Sequence, residues 1–302
     1  MSPTITALEA QVQSILVMDV RTSWPMLAHM SVSDYVVSEA SGGGLQAALA
    51  NLLRRHRLQM VYYAAAPDGN GITPAYHVYR PAAEHGKGGG VKTIEYWYGC
   101  LVTMLQACDQ EQAAAPKAQL EDKAAKAAAA LSHFCADLSS PVHTVSDDNV
   151  HSGYEAWLKT VFTKRNSDPD GYGRLYEELK RQTHQRVTAT RNLLADVATA
   201  AVDDLVAASN TDYARLRELW LAKKAGHQTF SAWDAELIAL SAKRFAAGAN
   251  FTADVWYTAF EKKDSPLPPF DPYLYSLCPD YTTCLKRLDA RVNDIMAQAP
   301  TH

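Results

Sequence analysis

Several features that mark common classes of protein are scarce or missing in this sequence. No stretch reaches the ~20 apolar residues that a membrane-spanning helix needs, since the segment from Ser14 to Val20 is already interrupted by Asp19. The five cysteines form no Cys-x-x-Cys pair, and an odd number fits poorly with a disulfide-stapled secreted scaffold. Cys278 and Cys284 could pair if the compartment were oxidising. These absences predict a soluble protein and favour an intracellular one.

An excess of positive charge is also missing. The 302 residues include 29 Lys and Arg against 33 Asp and Glu, which leaves a net charge of −4. This balance leaves no excess of positive charge that would attract duplex nucleic acid or an anionic membrane surface, so we expect neither as a main partner. The segment from Met1 to Glu9 contains no Lys or Arg, unlike the basic start of a secretory signal, and we therefore expect an unprocessed, cytoplasmic protein.

Alternating β-branched segments bounded by tight turns are scarce, whereas helix-favouring residues dominate from Glu95 onward. Hydrophobic residues make up 47% of the chain, which is enough to bury a proper core. We therefore predict an all-α fold. Its helices are expected at about Ser31–Ala40, Leu45–His56, Thr93–Gln112, Lys117–Leu138, Asn149–Phe162, Gly171–Ala208, Thr211–Ala225, Thr229–Lys262 and Tyr281–Ala297.

Potential metal ligands are concentrated in one short stretch of the chain. His133 and Asp137 are four residues apart at the end of a predicted helix, so their side chains project from one face with Cβ atoms ~5–6 Å apart. His151 and Glu155 repeat this spacing on the next predicted helix. Each pair therefore offers a nitrogen and an oxygen at a separation that suits a metal ion.

The segment between these pairs adds a fifth potential ligand. Pro141 ends the first helix and forces an extended turn, which leaves His143 free to reach the same cavity. Taken singly, a helical histidine is usually an ordinary surface or core residue, and a His/Glu pair at this spacing is usually a weak helix-surface interaction. The clustering favours a metal site, because three of the ten histidines lie here beside two carboxylates. Mixed nitrogen and oxygen ligands suit zinc, with manganese or iron as alternatives.

The pattern His-x-x-x-Asp-x-x-x-Pro-x-His, followed by His-x-x-Tyr-Glu, resembles the zinc-dependent phospholipase C and single-strand nuclease superfamily. The resemblance implies a single compact multi-helix domain with a trinuclear zinc cluster in a cleft. It assigns His133 and Asp137 to the first zinc, with Asp137 also bridging to the third. His143, His151 and Glu155 would bind the second zinc. The terminal Glu155 resembles the phospholipase branch more than the nuclease branch.

The superfamily supplies a further aspartate and histidine to the first zinc from an upstream segment. His77 lies at a compatible distance before the core motif, and Asp68, in the sequence Pro-Asp-Gly-Asn, lies shortly before it. The resemblance makes Asp68 the catalytic residue, as the base that orients the attacking water. An ordinary solvated turn is the alternative for Asp68, since Asp-Gly-Asn is a common turn sequence.

Members of the superfamily begin at a tryptophan whose free amine and carbonyl bind the third zinc, joined by a histidine a few residues later. Trp24-Pro-Met-Leu-Ala-His29 resembles that start, so Trp24 and His29 are candidate ligands. The domain is then expected to span residues 24–302, after an N-terminal extension of residues 1–23. Because the nitrogen of Trp24 would be an amide, we expect the third site to lose that contact, to recruit another ligand such as Asp19, or to be empty.

The implied function is the hydrolysis of phosphoric (di)esters by a water that two or three zinc ions activate. The expected cytoplasmic location and the N-terminal extension leave open a second function, a metal-dependent lyase, isomerase or cyclase that acts on a small metabolite. A third alternative is a non-catalytic helical interaction protein with a structural metal. Structural sites are usually closed by four protein ligands, whereas catalytic sites keep a position for water. The expected partner in the first two cases is a phosphoester or another small-molecule substrate.

Overall fold

The computed structural model describes residues 29, 31–34, 36–37, 45–69, 77–79, 89–145, 147–164, 171–225, 230–266 and 281–298. Within these residues the chain forms eleven bounded α-helices and no β-strand, which confirms the predicted all-α class. Residues 29, 31–34 and 36–37 are also helical. The helices are α1 (Ala47–Arg55), α2 (Arg57–Ala65), α3 (Gly90–Gln110), α4 (Ala114–Ser139), α5 (Pro141–Thr144), α6 (Asp148–Thr163), α7 (Tyr172–His184), α8 (Val197–Ala200), α9 (Ala207–Lys224), α10 (Phe230–Glu261) and α11 (Tyr281–Gln298).

Helix α4 lies at the centre of the fold and packs against α2, α3 and α10. Its first half is rich in alanine, the residue with the highest helix propensity, and the run from Ala124 to Ala130 is largely buried. The small side chains let the neighbouring helices approach closely. For example, Trp256 of α10 is fully buried and donates its indole N–H to the carbonyl of Ala128 at 3.1 Å. The second half of α4, which carries His133 and Asp137, is therefore held on several sides.

A short bend joins α4 to α5. Ser140 has extended backbone angles, φ −83° and ψ 126°, and Pro141 occupies the first turn of α5, where its missing N–H costs nothing. The amide of Ser140 donates to the carbonyl of Asp137 at 2.9 Å, and the amide of His143 donates to the carbonyl of Ser140 at 3.1 Å. The expected helix end before Pro141 is confirmed. His143, however, lies on one helical turn instead of an extended segment.

The predicted helix Gly171–Ala208 is wrong in its middle. Helix α7 ends at His184, and an irregular segment leads to α8 at Val197. Asp254 of α10 accepts hydrogen bonds from the backbone amide of Asn192 at 3.0 Å and from its side-chain amide at 2.8 Å. These contacts with α10 replace the hydrogen bonds that a continuous helix would have made, which is how tertiary structure overrides helix propensity.

Two further helix boundaries differ from the prediction. The expected break before Thr211 does not occur, since α8 continues through a π-helical turn, Ala201–Val206, directly into α9. Helix α2 was not predicted and follows α1 after His56. Its buried face includes Met60 and Val61, and it lies against α4.

The sequence predicted no membrane-spanning helix and left open a disulfide between Cys278 and Cys284. None of the described helices is both long and apolar enough to cross a membrane. Cys284 in α11 is disulfide-bonded, whereas Cys100, Cys108 and Cys135 are free thiols buried in the fold. The suggested partner, Cys278, lies outside the described residues.

Candidate metal centre

The structure brings the potential ligands of three helices together. His133 and Asp137 lie in the last turns of α4, His143 lies in α5, and His151 and Glu155 lie in the first turns of α6. Three sets of side chains are close enough for each to hold a metal ion: His29, Asp68 and His133; His77, His133 and Asp137; and His143, His151 and Glu155. Below, the inner group means His29, Asp68, His77, His133 and Asp137, and the outer group means His143, His151 and Glu155.

Asp137 is the shared carboxylate at the centre of this arrangement, and only 2% of it is exposed. Its Oδ2 lies 2.9 Å from Nδ1 of His77 and 3.2 Å from Nε2 of His133. Its Oδ1 lies 3.3 Å from Nε2 of His29 and 3.2 Å from Nδ1 of His143. Burial alone would raise the pKa of Asp137, but the neighbouring imidazoles of His133, His143 and His29 hold it well below 3.8. The carboxylate is therefore ionised and faces four imidazoles.

Asp68 reaches the inner group from the 3₁₀ turn Ala66–Gly69 that follows α2. Its Oδ1 lies 3.6 Å from Nε2 of His133 and 3.8 Å from Nδ1 of His77, and its Oδ2 lies 3.9 Å from Nε2 of His29. Asp68 does lie in a turn, as the alternative interpretation of its sequence predicted. Its side chain, however, is not solvated, because it points inward and is only 16% exposed. Burial raises the pKa of Asp68 above 3.8, against the opposing charge of His133.

Two backbone carbonyls set the orientation of two of the candidate ligand histidines, His133 and His143. A carbonyl can only accept, so Nδ1 of His133 donates its hydrogen to the carbonyl of Ala64 at 2.8 Å, and the lone pair of Nε2 faces the inner group. Nδ1 of His143 likewise donates to the carbonyl of His77 at 3.1 Å, which directs Nε2 toward Glu155. Hydrogen bonds of this kind fix the tautomer and the ring orientation of metal-binding histidines.

The segment that carries His77 is attached through its backbone to α5 and to the start of α3. The amide of Tyr79 donates to the carbonyl of His143 at 3.0 Å, and the carbonyl of Val78 accepts from the amide of Gly90 at 3.1 Å. Sequence analysis did not find these backbone contributions or the role of Ala64. Residue type carries no signal for them, because any residue at these positions supplies the same amide and carbonyl.

Several polar atoms of the inner group are buried without a hydrogen-bond partner. They are both ring nitrogens of His29, Oδ2 of Asp68 and Oδ1 of Asp137. In addition, Nε2 of His133 lies only 3.0 Å from Nδ1 of His77, so two imidazole nitrogens face each other. Buried polar atoms are normally satisfied, and an unpaired one is costly. A cation would satisfy these nitrogen and carboxylate atoms together, so the inner group could hold a metal ion.

The outer group is more exposed and its side chains pair with one another. Oε1 of Glu155 lies 2.8 Å from Nε2 of His151 and 3.2 Å from Nε2 of His143. Burial opposes ionisation of Glu155, but the hydrogen bonds from His143 and His151 lower its pKa to about 2. Burial likewise lowers the pKa of His143, but the charges of Asp137 and Glu155 raise it to about 9. The side chain of His151 is 31% exposed, so this group lies at the solvent-facing side.

The structure thus brings together eight of the nine residues predicted for the site. Trp24, the ninth, and Asp19, its suggested replacement, lie outside the described residues. His133, at 0% exposure, is the most deeply buried histidine of the centre, and burial lowers its pKa below 6.5, which favours its neutral, metal-binding form. In comparisons with known proteins, no protein-family model matches the chain and no curated protein is found similar to it.

Proposed function

We propose that the protein is a phospholipase C-like, zinc-dependent hydrolase of phosphoric (di)esters. The observation that carries this proposal is the set of buried imidazole and carboxylate atoms in the inner group that lack hydrogen-bond partners. Such a set is costly unless cations bind to it. The outer group contacts Asp137 through His143. Its three side chains are close enough together to hold a further ion.

Residues of the two groups have distinct roles in the proposed reaction. Bound divalent ions would hold phosphate oxygens and lower the pKa of a coordinated water toward 7. Asp137 contacts both groups, because Oδ2 faces His77 and His133 while Oδ1 faces both His29 of the inner group and His143 of the outer group. It therefore fixes the spacing between the groups.

Asp68 is suited to orient the attacking water and to accept its proton. Its Oδ2 is buried and has no hydrogen-bond partner, and burial raises its pKa, which makes the carboxylate a stronger base. The partly exposed side chains of His151 and Glu155 indicate the side from which a substrate reaches the centre.

The proposal is tested with metal-replete protein on bis(p-nitrophenyl) phosphate and on a phosphatidylcholine analogue. We expect chelator-sensitive hydrolysis that His133→Ala and His151→Ala abolish, since each removes a predicted ligand. His56→Ala is the matched control, because His56 contacts Gln59 outside both groups. Elemental analysis of the same samples reports the bound metal independently of activity.

Different outcomes favour the other functions. If the protein binds metal in both groups but is inert on a broad panel of phosphoesters, the hydrolase proposal fails and a metal-dependent lyase, isomerase or cyclase becomes the better hypothesis. Four protein ligands around each ion, with no position left for water, would instead indicate a structural metal. Unchanged metal content in both histidine variants would contradict the ligand assignment.

A further inference from the structure

A buried serine from a distant part of the chain contacts the end of α4. Ser209 lies in the first turn of α9 and is fully buried. Its hydroxyl lies 3.0 Å from the carbonyl oxygen of Leu138 and 2.8 Å from that of Ser139. The last carbonyls of a helix have no partner within the helix, so the single hydrogen of this hydroxyl is shared between two groups that would otherwise lack a donor.

The two carbonyls lie where the chain turns from the inner group to the outer group. Asp137 immediately precedes them, and His143 follows after the bend at Ser140. Oδ1 of Asp137 lies 3.2 Å from Nδ1 of His143, so a small change in the bend alters this separation directly. Ser209 therefore contacts the connection between the two groups while touching no ligand side chain itself.

Arg244 of α10 faces the oxygen of the Ser209 hydroxyl and thereby limits which groups the hydroxyl can bind. Its Nη1 lies 3.5 Å from Oγ of Ser209, and the residue is only 4% exposed. Because a guanidinium can only donate, the hydroxyl hydrogen of Ser209 is left for the carbonyls of α4. Arg244 also faces Asp212 at 3.5 Å, and Lys243 binds the other oxygen of Asp212 at 2.8 Å.

Two features of the neighbouring helices favour a specific role for this contact. Gly248 of α10 lies against the bend so closely that a Cβ there would come within 2.7 Å of Oγ of Ser139. The π-helical turn Ala201–Val206 immediately precedes the turn that carries Ser209. Such turns are rare and are often found at functional sites. Helices α9 and α10 thus hold the bend from two directions.

We propose that Ser209 is a positioning residue of the metal centre, which sets the separation between the inner and outer groups by holding the carbonyls of Leu138 and Ser139. This inference rests on the proposed metal centre. It predicts that loss of the hydroxyl affects the outer group selectively, because the inner group is also held by α2 and by the 3₁₀ turn.

The test is a titration of metal-free full-length protein with Co²⁺, followed by visible absorption, and with Zn²⁺, followed by calorimetry. For Ser209→Ala we expect the affinity at the outer group to fall by about 10–100-fold, as when a partner that orients a ligand is lost. The affinity at the inner group should stay the same, and the Co²⁺ spectrum of the outer site should change. Ser209→Thr, which keeps the hydroxyl, should restore both.

Thr183→Val is the matched control, since Thr183 is fully buried and its hydroxyl donates to the carbonyl of Leu179 within α7, away from the centre. It should leave both affinities unchanged. Gly248→Ala tests the same bend from α10 and should also weaken the outer site alone. If the wild type binds both ions and neither Ser209→Ala nor Gly248→Ala weakens the outer site, the inference fails while the metal centre stands. A wild type that binds neither ion overturns both.

Discussion

The inner and outer groups share one bend of the chain but differ in how their polar atoms are satisfied. The inner group is almost fully enclosed and contains four buried ring-nitrogen and carboxylate atoms without a hydrogen-bond partner. The outer group is partly exposed, and its carboxylate already pairs with both of its imidazoles. Without metal, the inner group is therefore energetically costly and the outer group is an ordinary hydrogen-bonded cluster. We infer that an ion in the inner group contributes to stability, whereas an ion in the outer group competes with protons.

The largest effect is expected from Asp137→Asn, which removes the charge that both groups share. The variant should lose metal from the inner group and bind the outer ion more than about 100-fold more weakly, a larger loss than removal of an orienting partner produces. Equilibrium dialysis with elemental analysis measures this. Asp234→Asn is the control, because Asp234 is a buried carboxylate that accepts a hydrogen bond from the indole of Trp157 and belongs to neither group. Equal metal content in the two variants would show that Asp137 is not a ligand.

The second prediction concerns metal removal. At free zinc about 100-fold above the dissociation constant, binding should stabilise the fold by about 2.7 kcal/mol, and a chelator should remove that stabilisation. Chemical unfolding with and without chelator measures the difference. His151→Ala should retain most of it, since this change affects only the outer group. A chelator effect that disappears fully in His151→Ala would reverse the roles we assign to the two groups.

The third prediction separates damage to a helix from loss of a ligand. Gly153 lies in α6 between His151 and Glu155, and a Cβ there would fall on the indole ring of Trp220. Gly153→Ala should therefore lower the free energy of unfolding by about 1–3 kcal/mol, the usual cost of overpacking. Metal stoichiometry should remain that of the wild type. Gly99→Ala, at a helical position with open space around the added Cβ, is the control and should not destabilise the protein.

The smallest effect is a pH dependence in the outer group. The pKa of His143 is raised from 6.5 to about 9, so in metal-free protein its contribution to stability is present below 6.5 and is lost as the pH rises through 9. The pKa of Glu155 is lowered from 4.5 to about 2, so its contribution is present above 4.5 and is lost as the pH falls through 2.

Between pH 6.5 and 9, zinc affinity should rise with pH, whereas the contribution of His143 to the stability of the metal-free protein falls. Binding to Nε2 of His143 displaces a proton, so affinity should rise by up to tenfold, or about 1.4 kcal/mol, per pH unit. Calorimetry in buffers with different ionisation enthalpies counts the released proton. His143→Gln should release one proton fewer than the wild type at pH 7. Equal proton release by both proteins would contradict the assignment.

Local sequence signals predicted the helices that carry the candidate ligands to within a few residues. The predicted helix Lys117–Leu138 corresponds to α4, and Asn149–Phe162 corresponds to α6. Strong helix formers and the stop at Pro141 define the first. Asp147 defines the start of the second, because its side chain accepts a hydrogen bond from the amide of Val150 at 3.3 Å. Spacing along these helices was therefore sufficient to predict that the ligand pairs share a face.

The same reasoning failed wherever distant segments compete with local preference. Residues 185–196 leave the helical state because Asp254 binds the backbone and side chain of Asn192. The chain continues as helix through Ser209, where its hydroxyl contacts carbonyls of α4. Neither partner lies within 50 residues of the segment that it affects, so no window of local sequence contains the information.

By itself, the sequence determined the helical class, the pairs His133–Asp137 and His151–Glu155, and the turn at Pro141, because each depends on the geometry of a few consecutive residues. Only the tertiary structure decided that His29 and His77 face the carboxylate of Asp137 and that Asp68 faces His133, since these residues come from segments far apart in the sequence. It also decided which ring nitrogens are available, because the carbonyls of Ala64 and His77 that orient His133 and His143 are set by backbone position and not by residue type.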